Sequence, residues 1–201
     1  MVRFFIFLSL LLGGCSSVAG LNLGQYPDPM ASPDNFIHCH GYNCSQKMRI
    51  GFNESEWKSI RSIFSKPAID ELSERKKIAH AISLMEKYAG NLVGAENDLP
   101  KAPIIKKSNK ELDCIDETIN TTKYLGFLQK DNLLKWHILS RPVYKGFFIN
   151  GVYPHNSASI TELATGQIYV VDSYIFENGR EPVIRTLEDW MSYKTFENNN
   201  S

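Results

Sequence analysis

Past its first residues this sequence has no apolar run that approaches the ~20 residues a helix needs to cross a bilayer. It has no excess of either charge, with 22 basic and 22 acidic residues. A balanced chain presents neither the basic surface that holds nucleic acid nor a polybasic patch for anionic lipid, so no nucleic-acid partner is expected. It has no internal repeat, which argues against a solenoid or a propeller. Cysteine is scarce: the four are Cys15, Cys39, Cys44 and Cys114. Each therefore calls for an explanation.

The chain opens MVRFFIFLSLLLGGCSS. Arg3 supplies a short positive region, and residues 4–12 are apolar apart from Ser9. This run fits the hydrophobic part of a signal peptide. The sequence Leu12-Gly13-Gly14-Cys15 resembles the lipobox of bacterial lipoproteins. That resemblance implies export, cleavage before Cys15 and a diacylglycerol on its sulfur, so residues 1–14 are read as signal peptide. The alternative is an ordinary signal peptide with a stray cysteine. Ser16 follows where an aspartate would mark inner-membrane retention. By resemblance to Gram-negative lipoproteins, the expected address is the cell envelope, on the periplasmic face of the outer membrane, with the lipid on Cys15 as the membrane contact. Removing the leader leaves 187 residues, enough for one domain.

With Cys15 lipidated, three cysteines remain in an oxidising compartment, an odd number. Cys39 and Cys44 lie five apart in HCHGYNC, where Gly41 and Asn43 can make a turn. A Cys39–Cys44 disulfide would leave Cys114 free, whereas a bridge from either to Cys114 would remove that thiol from chemistry. His38, Cys39, His40 and Cys44 could also be read as metal ligands. Their spacing matches no common zinc pattern, and no metal or cofactor is expected.

Residues 16–36 hold three prolines with Gly, Ser and Asn and show no period, so they read as a tether. The division is leader 1–14, tether with a small cysteine loop 15–45, and domain 46–201. Helices are expected over 53–64, capped by Asn53, and over 70–89, ended by Gly90. Residues 91–112 read as a long loop, which is uncommon unless it serves a site. Asp113 is an N-cap for a helix over 114–128, with Asp116 and Glu117 favouring its start. Residues 134–144, 147–152, 155–163 and 167–174 read as strands, with a turn at Thr165-Gly166 and a short helix within 182–192. Helices first and strands after give an α+β fold, N-terminal helices and a cysteine-bearing helix packed on an antiparallel sheet. His80 is read as solvated, His137 as packed or bonded in the sheet, and Trp57, Trp136 and Trp190 as core.

Cys114 stands at the first position of its helix, where exposed N–H groups favour thiolate over thiol. A nucleophilic cysteine also needs a base and a group to orient that base. His155 and then Asp172 follow in order. If Leu163 pairs with Gly166, paired residue numbers sum to 329, and Asp172 faces Ser157, on the same strand face as His155. A loop one residue longer would put them on opposite faces.

Asp113-Cys114 opening a helix, a strand beginning at His155, and Tyr169-Val170-Val171-Asp172-Ser173 together resemble the transglutaminase-like superfamily of cysteine proteases and acyltransferases, a papain-like arrangement. The resemblance spans residues 110–176. Asn156-Ser157 after the histidine and Ser173-Tyr174 after the aspartate depart from its usual pattern. It implies a Cys114–His155–Asp172 triad acting on peptide or amide bonds of an envelope substrate, with the Cys114 backbone N–H as an oxyanion donor. The alternative is a lipid-anchored interaction module that keeps the fold without the activity.

Overall fold

A computed structural model of the protein describes residues 21–101, 108–146 and 154–192. Helix α1, Glu54–Ser62, opens on a capping box: the Asn53 side chain accepts the Glu56 N–H, and the Glu56 carboxylate accepts the Asn53 N–H. Helix α2, Glu71–Val93, opens on the equivalent exchange between Asp70 and Ser73. It runs through the expected stop at Gly90 and ends at Gly94, which is left-handed with φ +77°. Gly90 serves packing instead, since a Cβ there would fall 2.4 Å from the Asn178 side-chain nitrogen. Helix α3, Cys114–Lys130, begins where expected and runs two residues beyond the expected end.

Strands β3 (His137–Lys145), β4 (His155–Glu162), β5 (Ile168–Asp172) and β6 (Val183–Thr186) form an antiparallel meander in chain order. Helix α4, Leu187–Ser192, follows β6, so the short ordered segment expected over 182–192 is half strand and half helix. Pro142 falls in the register break between Ser140 and Val143, where its missing N–H costs no ladder bond. The expected strand over 147–152 lies outside the described residues. Together these elements make an α+β domain in which α3 lies across β3 and β4, and α2 packs on α3 and β6.

Strand β3 starts three residues later than the apolar pattern does. The N–H groups of Lys135, Trp136 and His137 all donate to the Glu74 carboxylate of α2, at 2.7, 2.9 and 2.9 Å. The His137 Nδ1–H donates to the same carboxylate at 3.0 Å, and Arg75 donates to His137 Nε2 at 3.2 Å. His137 is thus buried and bonded, while His80 is exposed beside Glu181.

The N-terminal segment departs most from the sequence reading. Strands β1 (Phe36–His40) and β2 (Gln46–Ile50) form a hairpin, whose first strand and loop lie inside the span 15–45 expected to be tether. Phe36 is fully buried against Phe52, Tyr124 and Phe127, at ring separations of 5.1, 6.0 and 5.3 Å. Burying such a ring is worth ~1.5–3 kcal/mol. Strand β1 and its loop therefore pack with the helices and strands that follow residue 46. The Asp28 carboxylate accepts the Ile37 N–H at 2.7 Å, tying the chain just ahead of β1 to it.

Candidate active site

Helix α3 presents Cys114 as its first residue because Asp113 caps it. The Asp113 side chain accepts the N–H groups of Ile115 and Asp116, at 3.0 and 2.9 Å, and the Asp116 carboxylate accepts the Asp113 N–H at 3.1 Å. The cap thus takes the N–H groups after Cys114 and not that of Cys114 itself.

The loop between β1 and β2 fixes this helix end from outside. Gly41, Tyr42, Asn43 and Cys44 are consecutive left-handed residues, with φ of 79, 67, 55 and 53°. That run turns successive N–H groups toward one side. Tyr42 and Cys44 donate to the Asp116 carboxylate at 2.9 and 2.6 Å, and Asn43 donates to Asp113 at 3.0 Å. A Cys39–Cys44 disulfide closes the loop, and Cys114 is the free cysteine among the described residues. Of the metal alternative, His38 Nε2 accepts from Asn120, and His40 Nδ1 bonds the Asn109 carbonyl. Burial pushes His38 down to about 3, the pKa of a neutral core histidine. Among the described residues no His, Cys, Asp or Glu cluster is arranged to hold a metal ion.

The hairpin β4–β5 supplies the other two groups. Ala158 pairs with Val171 and Thr161 with Ile168, so paired numbers sum to 329, as a two-residue turn would require. The turn itself is longer. Glu162 N–H donates to Gln167 O, and Gly166 N–H to Glu162 O, closing a four-residue loop that keeps the same register. An even change in loop length leaves every side chain on its face, and His155 and Asp172 meet. His155 Nε2–H donates to Asp172 Oδ2 at 2.9 Å. His155 is fully buried and Asp172 is 2% exposed, whereas Cys114 is partly open. The backbone N–H of Asn156, the next residue on β4, lowers the pKa of the Cys114 thiol, so the sulfur lies near the start of β4.

A comparison with protein-family models, curated proteins and solved structures finds no match. The reading of the site therefore rests on its own geometry.

Its electrostatics differ from expectation in one respect. Burial pushes the Cys114 thiol up to about 12, and the charges of Asp113, Asp172 and Asp116 push the same way; the Asn156 N–H opposes them. The helix N-terminus does not win here because burial disfavours the thiolate first, and the carboxylates of the cap and first turn add to it. Burial and Asp113 likewise push Asp116 up to about 7, against its amide donors. Asp172 behaves as an orienting carboxylate should. Burial raises its pKa, but the His155 charge and hydrogen bond, the Trp190 N–H and Lys145 more than offset this and hold it below the usual range. Sequence reasoning assigned Trp190 to the core, and so it is at 1% exposed; its indole N–H also donates to Asp172 Oδ2 at 2.7 Å. No local pattern announces that bond, since 18 residues separate the partners.

Proposed function

We propose that the protein is a cysteine hydrolase or acyltransferase of the transglutaminase-like kind, working on peptide or amide bonds through Cys114, His155 and Asp172. The observation that carries this is the buried His155–Asp172 pair at the end of the strand whose next N–H contacts the Cys114 thiol. Asp172 engages Nε2, and in this reading the other ring nitrogen, Nδ1, takes the proton from the sulfur. Because the thiol's pKa is raised, the proton moves to His155 as the sulfur attacks the carbonyl carbon, not before. The C–S bond forms, the carbonyl oxygen takes the negative charge, and the Cys114 N–H lies on the helix end to receive it. Collapse expels the amine with the proton His155 held and leaves a thioester for water or a second amine.

The second reading, an interaction module without turnover, draws on that same raised thiol pKa. One experiment separates the two. With 4-nitrophenyl acetate, the hydrolase acetylates Cys114 in a burst of one equivalent, located by peptide mass. Cys114→Ala loses the burst, and His155→Ala slows it ~100-fold, the lower range for a general base. A His155→Ala protein that acetylates as fast as the wild type establishes the module instead.

The lipobox-like Leu12-Gly13-Gly14-Cys15 supports an envelope location with a lipid on Cys15. No helix among the described residues is long and apolar enough to cross a membrane. Labelled palmitate should enter the wild type and not Cys15→Ala; equal labelling of both sinks the anchor.

A further inference from the structure

Asp172 Oδ2 accepts two N–H groups at once: His155 Nε2 at 2.9 Å and Trp190 Nε1 at 2.7 Å. The Trp190 ring also lies 5.5 Å from the imidazole, inclined at 36°, while the Tyr174 ring flanks the imidazole at 5.3 Å. Trp190 is itself held. Lys145 stands 4.3 Å over its ring and donates to its carbonyl at 2.6 Å. All of this is buried.

We propose that Trp190 is a positioning residue for the triad, whose indole N–H clamps the Asp172 carboxylate so that His155 is held as the Nε2–H tautomer. This inference rests on the hydrolase reading.

A carboxylate held by one donor can turn about its Cβ–Cγ bond and offer either oxygen. Two donors converging on Oδ2 from different elements, β4 and α4, remove that freedom. The second donor also draws charge from the oxygen that faces the imidazole. Asp172 then stays ionised while His155 gains and loses its proton, and the imidazole remains weak enough a base to return the proton to the leaving group. The indole ring excludes water from the His155–Asp172 bond, as a buried aliphatic side chain would also do; the N–H is what only tryptophan supplies there.

Trp190→Phe keeps an aromatic ring and removes the donor. Acetylation of Cys114 by 4-nitrophenyl acetate should slow about tenfold, the rate equivalent of one hydrogen bond to a charged group. The acid limb of its pH profile should move to higher pH, because Oδ2 no longer shares its charge with the indole N–H. Nitrogen-15 NMR of labelled histidine should show a single Nε2–H tautomer at His155 in the wild type and a mixture in Trp190→Phe. On an Asp172→Ala background the substitution should have no further effect on the rate. A tryptophan that only packs lowers the amplitude and leaves limb and tautomer where they were. A folded Trp190→Phe protein with wild-type limb and tautomer overturns the clamp. Failure of the wild type to acetylate any faster than His155→Ala overturns the hydrolase reading instead; the tautomer measurement then still decides for or against the clamp.

Discussion

The Cys114 thiol gives the sharpest quantitative test. Iodoacetamide reacts with the thiolate, and a free cysteine of pKa ~8.5 is about one-tenth thiolate at pH 7.5. With its pKa pushed up to about 12, Cys114 has a thiolate population smaller by a factor on the order of 3000. A more basic sulfur is also a better nucleophile, which returns a factor of roughly 40. Cys114 should therefore alkylate on the order of a hundredfold more slowly than a free thiol at pH 7.5. Its rate should rise close to tenfold per pH unit through pH 10 without a plateau. Asp113→Asn removes the nearest of the opposing charges and still caps the helix, so it should speed alkylation and lower the apparent pKa. The assay is the second-order rate from pH 5 to 10, read by intact mass. A plateau reached by pH 6 would refute the reasoning. It would mean that His155 already holds the proton in the resting protein and that the carboxylates at the helix end do not govern the sulfur.

Two further outcomes follow from buried carboxylates. Glu74→Ala strands three N–H groups and His137 in the interior, and should cost about 3–5 kcal/mol, a large part of a domain's stability; a denaturant midpoint shift worth less than 1 kcal/mol would show those bonds to be dispensable. Burial pushes Asp98 up to about 8 and Glu86 up to about 7. An acid whose pKa is raised by folding binds its proton more tightly in the folded state. Its stabilising share is thus intact below the unfolded pKa and is lost as pH rises through the folded one. Thermal stability should accordingly be higher at pH 5 than at pH 8.5, and Asp98→Asn should flatten that slope; a melting temperature that rises from pH 5 to 8.5 would show that these groups are ionised without cost.

Much of this molecule can be read from local patterns. The helix over Cys114 follows from Asp113 at its cap, and the facing of His155 and Asp172 follows from the parity of one hairpin loop. Parity sufficed although the loop's length did not match, because a strand face depends only on whether the count is even. What local patterns missed is long-range. Glu74 looks like one more charge on a helix, yet it organises the entry to β3 some 60 residues away. Strand β1 shows no alternation because it is buried on nearly every position, and its two histidines give it the texture of a loop. The thiol's raised pKa is not legible either, because its leading cause is burial, which only the fold decides, and the charges of Asp113 and Asp116 that start the helix add to it.

The place of Phe36 has a consequence for how the chain is made. Its partner Phe52 and the paired strand β2 follow closely in the chain, but Tyr124 and Phe127 come about ninety residues later, so the ring is only partly covered until α3 has followed. Through that interval the β1–β2 hairpin carries a partly uncovered aromatic side chain, the feature that holding chaperones bind and that aggregation exploits. A chain begun at Gln46, the expected start of the domain, would keep α1 to α4 and every strand of the larger sheet and still lack the side chain around which its aromatic core closes.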